Sequence, residues 1–197
     1  MSDIICVTSR KLCTEDFLVR LGKIAEAEPE FIILREKDLI EVDYIDLAKK
    51  AIEICKGKTE LILHYYWKAA LDLGTDRIHL PLNILREMES AERKRFSRIG
   101  VSCHSSDEAA EAESLGADYI TAGHVFTTDC KQGLAPRGLD FLREVVGRVH
   151  IPVYAIGGIS PDNIRAVRSC GAVGACVMSG FMKCAEPSAF ISEFYRK

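Results

Sequence analysis

Short apolar runs alternate with amphipathic segments along the whole chain, and this alternation limits the possible folds more than any other feature of the sequence. Runs rich in isoleucine, leucine and valine predict β-strands. They occur at 4–8, 31–34, 61–63, 77–80, 99–102, 117–122, 153–156 and 173–178. Few of their positions are polar, so both faces of each strand are expected to be buried, which is typical of a parallel sheet covered by helices.

The repeat length decides between two parallel-sheet folds. Eight strand and helix units of about 25 residues each fill the 197 residues without a linker or a low-complexity tract. An open doubly wound sheet is the alternative, but eight regular units favour closure into a barrel. We therefore predict an α/β fold, a single (β/α)8 TIM barrel, with one domain spanning residues 1–197.

The charge balance excludes some classes of partner. The formal net charge is -3 at pH 7, so the chain has no overall basic field that would attract nucleic acid or anionic lipid. We expect neither a nucleic-acid partner nor a membrane partner. An anionic ligand would have to be bound by local groups.

The cysteines and the amino terminus indicate a cytoplasmic protein. Eight cysteines are scattered through apolar or helical segments without a CxxC pair, so we expect free thiols in a reducing compartment. Cys130 differs because it lies in a polar loop, and a reactive role is left open for it. The start MSDIICVTSR has no signal-peptide pattern, and no apolar run approaches about 20 residues.

A polar loop follows the sixth predicted strand, and chemistry is expected there. Residues 121–138, TAGHVFTTDCKQGLAPRG, begin where the active site of a barrel lies, at the carboxyl end of a strand. His124 is the candidate general acid and base, because the unperturbed pKa of histidine is close to neutral pH. His64, His79 and His104 also lie near strand ends, and a hydrogen-bonded core histidine is the alternative for His124.

Two glycine-containing turns are candidate binding sites for an anion. Gly157-Gly158 and Ser179-Gly180 follow the seventh and eighth predicted strands. In a barrel these two loops commonly bind phosphate, since their backbone can approach a ligand closely and a helix can begin there. The alternative is that the glycines only form tight turns.

Two cations follow the second predicted strand. Arg35 and Lys37 are two residues apart, so both can point to the same side of an extended chain. Such a pair suits a carboxylate or a phosphate. The alternative is a solvated charge run in which they pair with Glu36 and Asp38.

Several longer motifs resemble those of a known family. They are LREKDL at 34–39, IGVSCHSSDEAAEAESLGADYITAGHVF at 99–126, TTDCK at 127–131, PRGLDFL at 136–142, IPVYAIGGISPDNI at 151–164 and VMSG at 177–180. Together these motifs resemble the thiamine phosphate synthase and TenI family over nearly the whole chain. The resemblance implies a (β/α)8 barrel, which agrees with the unit count.

The resemblance separates two branches of this family by their metal ligands. The synthase branch joins a pyrimidine pyrophosphate to a thiazole phosphate, with magnesium held by carboxylates. It has Asn-Asp after strand three, where this chain has His64-Tyr65, and Gly-Gln with acidic residues after strand four, where this chain has PLNI at 81–84. Ile33 stands in place of a glutamine of the synthase pattern. These departures imply that no metal and no cofactor is required.

The loop GHVFTTDCKQG resembles the TenI branch, the thiazole tautomerases. There the histidine matching His124 serves as acid and base in a metal-independent proton shift, which aromatises a 2-carboxy-4-methylthiazole ethyl phosphate tautomer. The resemblance thus implies His124 as the catalytic residue. The substrate-binding residues that it implies are Arg35, Lys37, Thr128, Lys131, Gly157, Gly158, Ser179 and Gly180.

Three functions follow from this resemblance. The leading hypothesis is an isomerase, a thiazole tautomerase of thiamine biosynthesis. The alternatives are a transferase, thiamine phosphate synthase, and a non-catalytic TenI-type regulatory protein. The expected partner is a thiazole phosphate, and a homodimer is left open.

Overall fold

The fold is a closed barrel of eight strands, as the sequence predicts. A computed structural model of the chain describes residues 3–128 and 133–196. Its strands are β1 (Ile4–Val7), β2 (Ile32–Leu34), β3 (Leu61–His64), β4 (Arg77–Pro81), β5 (Arg98–Cys103), β6 (Tyr119–Gly123), β7 (Val153–Ile156) and β8 (Gly174–Val177). They follow one another around the barrel in chain order. The prediction of an α/β fold with a (β/α)8 TIM barrel is confirmed.

The chain divides into two compact units, one formed by the residues up to 75 together with those from 177, the other by residues 76–176. In the first unit, β2 pairs in parallel with both β1 and β3. In the second, β4 to β8 pair in parallel with their neighbours in chain order. The expectation of one domain over residues 1–197 stays a prediction.

Helices connect the strands. Their bounds are α1 (Phe17–Glu26), α2 (Glu41–Cys55), α3 (Trp67–Asp72), α4 (Leu82–Glu87), α5 (Ser90–Arg93), α6 (Ser106–Ser114), α7 (Gly138–Arg148), α8 (Ile164–Ser169), α9 (Ser179–Lys183) and α10 (Pro187–Glu193), with a 3-10 turn at Arg10–Leu12. None of the helices within the described residues combines the length and the apolar character that a membrane span needs.

Local cap signals explain where some helices begin. The Asp16 carboxylate accepts hydrogen bonds from the amides of Leu18 and Val19 at 2.9 and 3.1 Å, which satisfies two otherwise unpaired donors at the start of α1. Leu21 and Ile24 then fall on the buried stripe of that helix. The apolar spacing of Phe17, Leu18, Leu21 and Ile24 predicts a helix over 16–27, and α1 (Phe17–Glu26) lies within it.

The helix after β7 begins later than its proline suggests. Pro161 predicts a helix that starts near Ser160, but α8 begins at Ile164. The Asn163 side chain accepts from the Ser160 amide at 2.9 Å and donates to the Gly158 carbonyl at 2.8 Å. These bonds close a turn over residues 158–163, and an Asn side chain commonly competes with helix geometry in this way.

Tyr44 of α2 fixes the carboxyl ends of two strands. Its hydroxyl donates to the Leu34 carbonyl at 2.8 Å and accepts from the His64 amide at 2.8 Å. Burial raises the pKa of the Tyr44 hydroxyl, so the group remains a donor at neutral pH. Tyr44 therefore fixes the points at which the loops after β2 and β3 begin.

Candidate active site

The loop after β6 is held by hydrogen bonds on both sides of His124. The amide of Val125 donates to the Ile156 carbonyl and that of Phe126 to the Gly157 carbonyl, both at 2.9 Å. On the other side, the Arg137 amide donates to the His124 carbonyl at 3.1 Å. The main chain at His124 is thus tied to β7 and to the start of α7, which limits its movement.

The His124 ring is mostly buried, and one of its nitrogens has a weak contact within the described part of the chain. The residue is 8% exposed, and its Nε2 lies 3.4 Å from the Leu134 carbonyl oxygen. That distance is long for a hydrogen bond. Because a carbonyl oxygen only accepts, Nε2 carries the hydrogen in this contact, and the lone pair of the neutral ring is then on Nδ1.

Gly157 is required by the packing of His124. Its φ is +99°, and a Cβ atom placed on it would lie 2.4 Å from the Cβ and 2.8 Å from the Cα of His124. Gly158, with φ of +67°, would bring a Cβ to 2.4 Å from the Thr127 carbonyl oxygen. The space beside both glycines is therefore filled by the His124 loop. Phosphate binding by the backbone of Gly157 and Gly158 stays a prediction.

His104 contacts the peptide that precedes His124. Its Nδ1 lies 3.0 Å from the Gly123 carbonyl oxygen, and its own amide donates to the Glu108 carboxylate at 2.5 Å. The imidazole is exposed. This contact adds a link from the end of β5 to the end of β6.

A chain of polar side chains crosses three neighbouring strands in the unit 76–176. His79 Nδ1 lies 3.0 Å from the Tyr119 hydroxyl, and His79 Nε2 lies 2.8 Å from Ser102 Oγ. Thr121 Oγ1 lies 3.4 Å from the same Ser102 oxygen. His79, Tyr119 and Thr121 are buried, and Ser102 is partly exposed. Polar positions inside predicted strands are the sequence signal for such a group, and nothing else in the sequence distinguishes Ser102.

The carboxylate of Glu36, which lies between Arg35 and Lys37 in the sequence, is buried in the unit that contains residues 3–75. Glu36 is 3% exposed, and it accepts from Thr8 Oγ1 at 2.7 Å and from the Arg10 amide at 3.0 Å. Burial raises the pKa of the Glu36 carboxyl, while the bonds from Thr8 and Arg10 oppose that shift. Thr8 and Arg10 were missed from the sequence because they precede Glu36 by more than twenty residues.

The charged string after β2 is paired with the 3-10 turn after β1. Arg10 Nη2 and Lys11 Nζ lie 2.9 and 3.3 Å from the Asp38 carboxylate. Arg35 is partly buried and Lys37 is exposed. Their expected contact with a substrate carboxylate or phosphate stays a prediction.

The Ser179-Gly180 turn opens α9, as predicted, but its glycine has a packing role. A Cβ atom on Gly180 would lie 2.3 Å from the Phe190 ring of α10. Both residues begin a helix of five residues, which is too short for a strong helix dipole. Phosphate binding at Ser179 and Gly180 stays a prediction.

The remaining candidates lie at or beyond the edge of the described chain. Thr128 is partly buried and is the last described residue before the gap at 129–132. Lys131 and Cys130 lie outside the described residues. Within residues 3–128 and 133–196, no three His, Cys, Asp or Glu side chains are grouped so that they could hold a metal ion. The expectation that neither a metal nor a cofactor is needed stays a prediction.

The cysteines in the described part of the chain form no disulfide. Burial raises the pKa of the Cys55 thiol to about 11 and that of the Cys103 thiol to about 12. A thiol with so high a pKa is unreactive at neutral pH. The prediction of thiols rather than disulfides is confirmed for the described residues.

Comparison with known proteins gives one consistent result. Residues 4–181 match the TMP-TENI family model, described as thiamine monophosphate synthase. The chain is 34% identical over 181 residues to the putative thiamine-phosphate synthase 2 of Aquifex aeolicus, covering 91% of this chain and 97% of that protein. It is 32% identical over 186 residues to the thiamine-phosphate synthase of Fusobacterium nucleatum, covering 91% and 88%.

A solved structure agrees with these sequence relatives. The thiamine phosphate pyrophosphorylase from Pyrococcus furiosus superposes with a TM-score of 0.82 at 28% identity, covering 98% of this chain and 93% of that one. The 3-hexulose-6-phosphate synthase structure superposes with a TM-score of 0.71 at 18% identity, which shows a shared fold alone.

Proposed function

The chain belongs to the thiamine monophosphate synthase (TMP-TENI) family, and from that premise we propose that it is a thiazole tautomerase of thiamine biosynthesis. The substrate would be a carboxythiazole phosphate tautomer with an exocyclic double bond. The ring carbon that carries the carboxylate loses a proton, the exocyclic carbon gains one, and the ring becomes aromatic. The product is an isomer of the substrate, so no co-reactant is consumed.

The observation that carries this proposal is the placement of His124. It is the histidine directly after β6, its main chain is bonded to β7 and to the start of α7, and among the described residues its Nε2 makes a long contact to the Leu134 carbonyl. Neutral imidazole can accept the ring proton, and the imidazolium can return it to the exocyclic carbon. General acid and base catalysis of this kind typically contributes about 10² to 10⁴-fold in rate.

The other candidates would bind the substrate. In this proposal the Gly157-Gly158 backbone contacts the phosphate beside His124. The residues proposed for further contacts with the phosphate, the carboxylate or the ring are Arg35, Lys37, Thr128, Lys131, Ser179 and Gly180.

The positions that match the synthase magnesium ligands favour the tautomerase. They carry His64-Tyr65 at the end of β3 and PLNI at 81–84 at the end of β4, with no carboxylate. Hard cations such as magnesium bind oxygen ligands, mainly carboxylates. A proton shift needs none of these ligands, so their replacement is compatible with the proposed reaction.

Thiamine phosphate synthase is the second candidate, and the names of the relatives favour it. In that reaction a nitrogen of the thiazole phosphate attacks the pyrimidine methylene carbon, and pyrophosphate leaves. A transferase of this kind would use the same phosphate-binding turns for the thiazole. A cytoplasmic location, a homodimer and the TenI-type regulatory role also stay predictions.

A substrate panel distinguishes the candidates. The purified protein is given either the thiazole tautomer with EDTA or the pyrimidine pyrophosphate and thiazole phosphate with magnesium, and each product is quantified by chromatography. We expect turnover of the tautomer in EDTA. Coupling with magnesium and no aromatisation would contradict the proposal in favour of the synthase. Tight binding of the thiazole phosphate without either reaction would contradict it in favour of a regulatory protein.

A further inference from the structure

His104 lies where β5 ends, beside the peptide that precedes His124. The strands β5 and β6 pair in parallel, and Cys103 is in register with Ala122. His104 and Gly123 are the next residues along the two chains. Here the His104 side chain contacts the neighbouring main chain, with its Nδ1 3.0 Å from the Gly123 carbonyl oxygen. A side-chain contact therefore extends the link between β5 and β6 to the residue before His124.

The main chain of His104 is fixed by the start of α6. The His104 amide donates to the Glu108 carboxylate at 2.5 Å, and Ser105 Oγ accepts from the Glu108 amide at 3.0 Å. Reciprocal bonds of this kind at a helix N-terminus satisfy amide donors that would otherwise be unpaired. The ring of His104 is exposed, but the backbone that carries it is held by β5 on one side and by α6 on the other.

The carbonyl partner determines which nitrogen of His104 carries hydrogen. A carbonyl oxygen only accepts, so Nδ1 is the donor, and the neutral ring has its lone pair on Nε2. The charged ring has hydrogen on both nitrogens and can keep the same bond. The contact with Gly123 is therefore compatible with both charge states of His104, which suits a residue that holds its neighbour in place.

The backbone of Gly123 is packed between two neighbouring strands. A Cβ atom on Gly123 would lie 2.5 Å from the Ile156 carbonyl oxygen, so this backbone lies directly against β7. His104 contacts the Gly123 carbonyl oxygen from the end of β5, the neighbour of β6 on its other side. The atoms of a peptide unit lie close to one plane. A contact that fixes the Gly123 oxygen therefore also fixes the direction in which the chain reaches the Cα atom of His124.

Main-chain bonds hold His124 from the other direction along the chain. The Arg137 amide donates to the His124 carbonyl at 3.1 Å, and the Val125 amide donates to the Ile156 carbonyl at 2.9 Å. Substitution of a side chain leaves such backbone donors in place. The bond to Gly123 differs because the His104 side chain makes it, so its effect on His124 can be measured by substitution.

We propose that His104 is a positioning residue for His124, because its Nδ1–H group holds the Gly123 carbonyl and thereby aims the His124 imidazole at the substrate. This inference rests on the proposed tautomerase function. In that reaction one imidazole takes a proton from a ring carbon and returns it to an exocyclic carbon, so it must reach two atoms in turn. A displacement of about 1 Å can slow such an aligned reaction about 10²-fold. His104 acts through the Gly123 peptide and exchanges no proton with the substrate.

Two amide substitutions test the position of the donor in steady-state kinetics with the tautomer. In His104→Asn the side-chain amide can donate from the place of Nδ1, whereas in His104→Gln it lies nearer the place of Nε2. We expect His104→Gln to lower kcat about 10-fold or more, because alignment for the proton transfers is lost. Its KM should stay within about 2-fold of wild type, since His104 does not contact the substrate.

His104→Asn should restore most of this loss and retain at least about one third of the wild-type kcat. His150→Gln is the control, because its side chain is 96% exposed, and it should match wild type. Equal losses of kcat in His104→Asn and His104→Gln, no loss in either, or a change in KM alone would overturn the proposal.

The pH dependence of kcat separates positioning from proton transfer. The bond from Nδ1 is compatible with both charge states of His104, so His104→Asn should keep every limb of the wild-type pH–rate profile. Loss of a limb in His104→Asn would show that His104 itself gives or takes a proton in the reaction, which would contradict the positioning role.

Nitrogen NMR tests the contact and its effect without turnover. The His104 signals of the unsubstituted protein are assigned by their disappearance in His104→Asn, and the neutral ring should carry its hydrogen on Nδ1. Hydrogen on Nε2 alone would contradict the contact with Gly123. The His124 imidazole signals should shift in His104→Gln and stay near their wild-type positions in His104→Asn.

The two hypotheses can fail separately. A wild-type protein that does not convert the tautomer would refute the proposed function, and a shift of the His124 signals in His104→Gln but not in His104→Asn would still support the positioning role. Rapid conversion by wild type, together with unchanged kcat and unchanged His124 signals in His104→Gln, would support the function and refute the positioning role.

Discussion

At the scale of single residues, His124 depends on a neighbour that has no side chain. The turn at Gly157 packs directly against the Cα and Cβ of His124, and its φ of +99° is strained for any other residue. The sequence singles out both positions and predicts phosphate binding for the glycine, which stays a prediction. The packing of Gly157 against His124 is a contact between the ends of β6 and β7, and it depends on the three-dimensional register of the strands.

Gly157→Ala should therefore damage both stability and the position of His124. The added Cβ has no space at 2.4 Å from another carbon, so we expect a loss of about 1–3 kcal/mol in the free energy of unfolding and a lower rate of tautomer conversion. Gly147→Ala is the control, because it lies in α7 with no atom within 4 Å of the new methyl group, and it should be as stable as wild type or more so. Urea denaturation of both variants provides the comparison. A Gly157→Ala protein as stable as wild type would refute the packing argument.

Glu36 makes stability depend on pH in a defined direction. Because burial raises the pKa of its carboxyl, the fold favours the protonated form relative to the unfolded chain. The contribution of Glu36 to stability is therefore fully present below its unfolded pKa of about 4.3 and is lost as the pH rises through the raised folded value. The bonds from Thr8 and the Arg10 amide limit that loss.

Thr8→Val should consequently destabilise the protein more at pH 7 than at pH 4. A hydrogen bond to an ionised carboxylate contributes about 1.5–3 kcal/mol, compared with about 1 kcal/mol for a neutral pair. Thr59→Val is the control, because Thr59 Oγ1 donates to the Pro29 carbonyl and not to an ionisable group. Urea denaturation at pH 4 and pH 7 gives the loss in the free energy of unfolding for each of the two variants at each pH. Equal effects of Thr8→Val at both pH values would show that Glu36 does not titrate as described.

At the scale of elements, cap residues indicate where helices begin, whereas contacts between residues far apart in the chain leave no local signal. Asp16 caps α1 as its position predicts, and Ser105 Oγ accepts from the Glu108 amide at 3.0 Å to cap α6. The later start of α8 and the link of Arg10 to Asp38 depend on side chains that meet only after folding. Spacing along the chain carries no direct information about such pairs.

Asp16→Ala should cost about 1 kcal/mol of stability, since it removes an N-cap that accepts two amide hydrogens. Glu26→Ala, at the other end of α1, removes an exposed carboxylate that is paired with Lys58 and is unfavourable near a helix C-terminus. We expect Glu26→Ala to change stability by less than about 0.5 kcal/mol. Thermal unfolding measures both variants. Equal losses of stability in Asp16→Ala and Glu26→Ala would show that the hydrogen bonds accepted by Asp16 do not stabilise the helix.

At the scale of the whole molecule, the barrel could be predicted because one pattern is repeated eight times. The predicted strand at 153–156 has the same bounds as β7, and that at 99–102 lies within β5 (Arg98–Cys103). Individual strands are weak signals, but a closed fold follows when all eight are evenly spaced. Family motifs predict His124 as the catalytic residue, which stays a prediction, whereas the contact between Ser102 and His79 depends on the register of β4, β5 and β6.

The most direct test of the central claim is the single-turnover rate of tautomer aromatisation in EDTA for wild type, His124→Gln and His150→Gln. His150 is the control because its imidazole is 96% exposed and lies 3.6 Å from the Glu113 carboxylate. His124→Gln should be at least about 100-fold slower than wild type, the lower range for loss of a general acid and base, and His150→Gln should match wild type. Conversion by His124→Gln at the wild-type rate would contradict the assignment of His124 as the proton shuttle.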